Sequence, residues 1–151
     1  MTRVNTKQII LPALRGVMGN WVYYTCLMSI DEIARRVSYA NEIHKNKKLS
    51  DMIQRSLKAA RSAQIADYIN TQEERFFNSL VVATYGGQPN WSAIDSLNSK
   101  SKNTIAEKLS EETLNSVGFL SLSGGEKLFA LDGQHRLSGI KKAIKEGLEQ
   151  D

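Results

Sequence analysis

The segment Leu128-Phe129-Ala130-Leu131-Asp132-Gly133-Gln134-His135-Arg136-Leu137-Ser138-Gly139-Ile140 restricts the fold of this chain more than any other stretch. An apolar strand runs directly into Asp132-Gly133. Leu137, Ile140, Ile144 and Leu148 then recur at three- and four-residue intervals, the stripe of an amphipathic helix. A strand that turns on a glycine into such a helix belongs in a layered domain of sheet and helix.

The remaining segments fit that class. Residues 7–14 read as an edge strand, because Pro12 interrupts a short apolar run. The glycines and Asn of residues 15–20 then suggest a turn, and Trp21 to Met28 a second strand, making an N-terminal β-hairpin over about 7–28. Ser29-Ile30-Asp31-Glu32 fits a capping box, with Ile33, Val37 and Ala40 as the stripe of a helix fading into His44-Lys45-Asn46-Lys47-Lys48. Met52 to Ile69 reads as helix, and Thr71-Gln72-Glu73-Glu74 as a second capping box. Leu80 to Tyr85 has the continuous apolar pattern of a strand buried on both faces. Gln88 to Asn103 is the most loop-like stretch, with a short helix expected over Ile105 to Leu114. Val117 to Ser121 and Lys127 to Leu131 flank Ser123-Gly124-Gly125-Glu126 as a hairpin would. The expected fold is α/β in the mixed α+β sense: one domain over 1–151, with a small mixed sheet, β-hairpins and flanking helices, and a core over about 50–148.

Composition narrows the class of function. No apolar run approaches the roughly 20 residues of a membrane-spanning helix, and no signal-peptide pattern opens the chain. The lone Cys26, with only His44 and His135 beside it, excludes a disulfide framework and a Cys/His zinc site. In its apolar strand Cys26 reads as inert core rather than nucleophile. A cytoplasmic domain without membrane contact is the expectation. The net charge of +4 is uneven: residues 1–66 hold eleven Lys/Arg against four Asp/Glu, whereas residues 67–151 hold nine against twelve. A basic half permits contact with a polyanion, and Arg35, Arg36, Lys45, Lys47 and Lys48 are the DNA-binding candidates; a solvated helix face explains them equally. Trp21, Tyr23 and Tyr24, near Arg3, Lys7 and Arg15, fit either a base-stacking platform or, the favoured reading, ordinary core and cross-strand pairs.

The chemistry concentrates at the strand–glycine–helix junction. A helix N-terminus has unpaired N–H groups and partial positive charge, so it suits an anion. Gly133 lets backbone approach a phosphate, and Arg136 adds a forked, permanently charged donor. His135 can donate a hydrogen bond or move a proton near neutral pH. Asp132 can cap the helix or hold a magnesium ion carried in by a nucleotide. A plain tight turn, with Asp132 as N-cap and Arg136 paired to a carboxylate, accounts for the same residues without a ligand. Glu73 and Glu74 are explained by capping and solvation, although carboxylates can also serve as acid, base or ligand.

Asp132-Gly133-Gln134-His135-Arg136 spells DGQHR, and the chain here resembles the DGQHR-domain family, which includes the DndB proteins of bacterial DNA phosphorothioation systems. Gly133 to Arg136, after a strand and before a helix, also looks like the phosphate-binding box of the ParB/sulfiredoxin superfamily, which binds CTP in ParB proteins and ATP in sulfiredoxins. Gln54-Arg55, then Arg61, Ile65 to Ile69 and the strand at Leu80, resemble the upstream part of these domains, so the likeness spans about residues 50–145. It implies a ParB-like fold that binds ATP or CTP with Mg2+, or DNA phosphate, in a DNA modification, defence or regulatory system. The implied ligands of phosphate are Gly133, Gln134, Arg136, Gln54 and Arg55. Asp132 and His135 are the implied catalytic pair for any nucleoside-triphosphate hydrolysis or DNA nicking, with Asp132 on the metal. A non-catalytic regulatory or interaction module with the same fold is the alternative. DNA, a second copy and modification-system proteins are the expected partners. No cysteine follows Gly133, so sulfiredoxin chemistry is not expected. DndB-like proteins usually run well beyond residue 151, so the sequence reads as a short member or an N-terminal piece.

Overall fold

The computed structural model describes residues 7–40, 59–73, 78–94 and 108–147. The fold is mixed α/β and divides into two compact units, one formed by residues 1–5, 29–86 and 126–151, the other by residues 6–28 and 87–125. Each unit has its own sheet: a small mixed one of three strands in the first, as expected, and a further one of four strands in the second.

The four-stranded sheet contains β1 (Ile9–Met18), β2 (Trp21–Cys26), β5 (Asn90–Ala93) and β6 (Val117–Leu122), in the order β2-β1-β6-β5, all antiparallel. The N-terminal hairpin is present, but its turn is only Gly19-Asn20, with Gly19 at φ +60° between the paired Met18 and Trp21. Arg15 to Met18, expected as turn, continue the strand. β1 is central rather than an edge. Pro12 is tolerated there because its carbonyl, on the β2 side, accepts the Leu27 N–H just beyond the Ala13–Cys26 end of that ladder. The missing proline N–H therefore costs no bond to β6. β5 lies within the stretch read as loop. Side chains alternate between the faces: Leu11, Ala13, Leu120 and Leu122 are buried on one, where the Tyr24 and Trp91 rings approach to 5.4 Å and Trp91 Nε1 donates to the Asn115 carbonyl. A short helix, α3 (Glu111–Asn115), follows Ser110, whose hydroxyl accepts the Thr113 N–H. Cys26 is half-buried on the inner face, and burial pushes its thiol up. Less thiolate forms at a given pH, so Cys26 should be alkylated several-fold more slowly at pH 8 than in urea, a difference that closes as pH rises.

The other unit holds β3 (Val37–Tyr39), β4 (Val81–Tyr85) and β7 (Lys127–Asp132), in the order β3-β7-β4, with β3 parallel and β4 antiparallel to β7. Its helices are α1 (Ile30–Arg36), α2 (Ala59–Thr71) and α4 (Gln134–Lys145). Ser29 caps α1 as expected, accepting the Glu32 N–H at 3.2 Å. The helix stops after two turns because Val37 turns extended, pairs with β7 and is fully buried there. The spacing of Ile33, Val37 and Ala40 is helical, but Val37 to Tyr39 form a sheet edge and not a further helical turn. The Thr71 hydroxyl donates to the Asp67 carbonyl at the end of α2, and the rest of the second capping box, from Glu74 on, lies outside the described residues. β4 is an exposed edge strand paired only with β7 among the described strands, not one buried on both faces.

β6 and β7 are not a hairpin. β6 uses both edges on β1 and β5, and β7 uses both on β3 and β4, so neither has a free ladder for the other. The glycines between them make a local turn, in which Gly125 donates its N–H to the Ser123 hydroxyl.

The core of this unit lies between α2 and α4, with Ala66, Ile69, Ile140 and Ala143 interlocked and Ile30, Ile33, Ile65 and Leu80 packed around them. Gly139 permits the close approach of these helices, because a Cβ there would overlap Ile65 and crowd the Ala66 backbone. Lys141 fastens α1 and β3 to this core: its ammonium donates to the Ala34 carbonyl at 2.8 Å and lies 5.8 Å from the Tyr39 ring centroid. No helix among the described residues is long and apolar enough to cross a membrane.

Candidate functional site

The site is built where β7 ends and α4 begins. Asp132 is the last residue of β7, and Gly133, at φ 86° and ψ 26°, is the N-cap of α4. Only glycine enters that left-handed conformation without strain, and a Cβ there would also displace the ends of the Leu80 side chain and the Arg136 guanidinium. Gly133 therefore makes room for the arginine as well as for the turn. Asp132 does not cap the helix; no side chain does.

The first turn of α4 is electrostatically unusual. It has no acidic residue, and Gln134, His135 and Arg136 occupy the positions where helices favour Asp or Glu. Amides in a helix's first turn have no acceptor within the helix, so a guanidinium there adds positive charge to the positive end of the dipole. The compensation is thin: Arg136 Nη2 donates to Asp132 Oδ2 at 3.3 Å, and that carboxylate is 76% exposed. Two polar atoms remain unsatisfied. Among the described residues, Gln134, only 7% exposed, has no partner for Oε1, and buried Arg136 Nε has no acceptor. Each orphaned group costs on the order of 1–3 kcal/mol, which packing alone gives no reason to keep.

These residues border an open cleft of about 510 Å³, within the range of small-ligand sites. One wall is the junction itself, from Leu131 to Arg136; the other is Arg61 and Ile65 of α2. The structure thus brings together Asp132, Gly133, Gln134, His135 and Arg136 and adds Arg61, which sequence reasoning had placed only within an upstream pattern. No local cue marked it: Arg61 stands one helical turn before Ile65, the residue that packs against Gly139 within α4, and that tertiary seam brings it to the cleft.

The other candidates are elsewhere. Arg36 has an 8% exposed side chain and is bonded to Glu32, and Arg35 pairs with Asp31 and Glu32, so both lean on carboxylates of their own helix. Gln54, Arg55, Lys45, Lys47 and Lys48, together with Arg3 and Glu74, lie outside the described residues. Among the described residues, no group of three His, Cys, Asp or Glu converges as a metal site. Asp132 can supply one carboxylate oxygen to a cation whose other ligands come from phosphate and water, the usual manner of Mg2+.

Residues 11–151 match the family model of DndB, described as DNA-sulfur modification-associated. No curated protein and no solved structure matches the chain.

Proposed function

This chain belongs to the DndB family, associated with DNA-sulfur modification, and on that premise we propose that the DGQHR junction binds the phosphates of a nucleotide or of DNA. The observation that carries the proposal is the thinly compensated positive start of α4, opening on a cleft lined by Arg61 and Arg136. The helix N-terminus and Arg136 hold one phosphate, and Arg61 faces it from α2. Gln54 and Arg55 are the further phosphate ligands that the family likeness suggests.

ATP or CTP with Mg2+ is the ligand this chemistry fits best. The cleft is large enough for a nucleotide, and Asp132, which lines it beside Arg136, is the carboxylate available to a phosphate-borne cation. His135, next in the same turn, is the proton donor or acceptor for phosphoanhydride or phosphodiester cleavage, should turnover accompany binding.

Thermal unfolding with ATP, CTP or a short DNA duplex, each with and without Mg2+, tests this. A ligand at a hundred times its Kd stabilises the fold by about 2.7 kcal/mol. Arg136→Ala should remove most of that shift. Asp132→Asn should leave the metal-free shift intact and abolish the increment from Mg2+. No shift with any of these ligands would refute the proposal and leave a non-catalytic interaction module as the reading.

A further inference from the structure

Among the described residues, nothing is layered over one face of the four-stranded sheet. Strand alternation and register place Ile10, Leu14 and Met18 of β1, Trp21 and Tyr23 of β2, and Phe119 of β6 together on the face opposite buried Leu11, Ala13, Leu120 and Leu122. These six are 44–77% exposed, Trp21 the most. They form one patch: Met18 pairs with Trp21, Gly16 with Tyr23 and Pro12 with Phe119. The positions between them on this face are Pro12, Gly16, Thr25, Val117 and Ser121, so these three strands present no charged side chain there. Arg15, the nearest cation in the strands, is on the other face.

At those exposures the six side chains offer roughly 800 Å², above the few hundred Å² common on monomers and equal to one partner's share of a standard interface. A polyanion is poorly matched, since no Lys or Arg of these strands faces that way to neutralise phosphate. An uncharged face is complemented by another uncharged apolar face, and the most extensive one on the described strands is this face itself. Antiparallel sheets pack face to face about 10 Å apart, and a two-fold axis makes such a contact self-complementary.

We propose that this face is a homodimer interface, two copies of the chain packing their β2-β1-β6 surfaces into a sandwich centred on Trp21, Tyr23 and Phe119. The contact draws on no residue of the DGQHR cleft.

Sedimentation of the full 151-residue chain from low to high micromolar concentration tests it. A species of twice the 16.9 kDa chain mass is expected, with Trp21 fluorescence shifting to shorter wavelength as the dimer forms. Trp21→Glu and Phe119→Glu, each on its own, should give monomers with unchanged far-UV circular dichroism; Met18→Lys, at the hairpin tip, serves if either fails to fold. A chain that stays monomeric at the highest concentration, whether free or recruited to neutral phosphatidylcholine vesicles, overturns the proposal. So does a dimer that survives all three substitutions.

Discussion

Gly139→Val is expected to lower stability by about 3 kcal/mol, the upper part of the usual range for overpacking a core. The new Cβ would overlap Ile65 and press on the Ala66 backbone, so α2 and α4 could not keep their present separation. Ala66, Ile69, Ile140 and Ala143 would lose packing together, because all four lie in that one seam. In thermal unfolding this is a fall of roughly 6–12 °C for a chain of this size. Trimming Ile65 to alanine in the same chain should restore part of the loss. A Gly139→Val protein as stable as the parent would mean that the two helices are not in close contact.

Gly133→Ala is the second large effect, and it falls on binding as well as stability. The left-handed backbone costs alanine about 1–2 kcal/mol. Gly147, at φ +92° with nothing near its Cβ position, isolates that part: Gly147→Ala suffers the backbone strain alone. At Gly133 the methyl group also meets Leu80 and pushes the Arg136 guanidinium off its seat. Gly133→Ala should therefore lose at least tenfold in affinity for ATP or CTP, read by isothermal titration, whereas Gly147→Ala binds as the parent does. Equal binding by both variants would show that the arginine's seat on the glycine is immaterial.

The junction was legible from sequence because its cues are local. An apolar run, Asp-Gly, and Leu137 and Ile140 at helical spacing each speak for their own few residues, and the structure assembles them as read. Ser29 was legible for the same reason, since a capping box is complete within four residues. What failed depended on partners distant in the chain. Val37 has helical spacing from Ile33, but β7, about ninety residues onward, takes it into a sheet. Ser123 to Glu126 look like a hairpin loop until both flanking strands are seen with their edges occupied. Pro12 marks an edge only if its nitrogen faces a neighbour, and here it faces the end of a ladder. At the site, Arg61 was read only as part of the upstream pattern, because its place on the cleft comes from the seam at Gly139 and not from any motif of its own.

The interleaving of the two units has a consequence for how the polypeptide can be divided. The chain leaves one unit for the other near residues 28, 86 and 125, so each unit is stitched from separated stretches. A piece ending at residue 86 would hold β1 and β2 without β6, and β3 and β4 without the β7 strand that joins them. Neither half-sheet could close, and expression of such a piece should yield insoluble or protease-sensitive material. Contacts this far apart in sequence also put a heavy entropic toll on the search for the native pairing, so refolding from denaturant should be slow for a protein of this length.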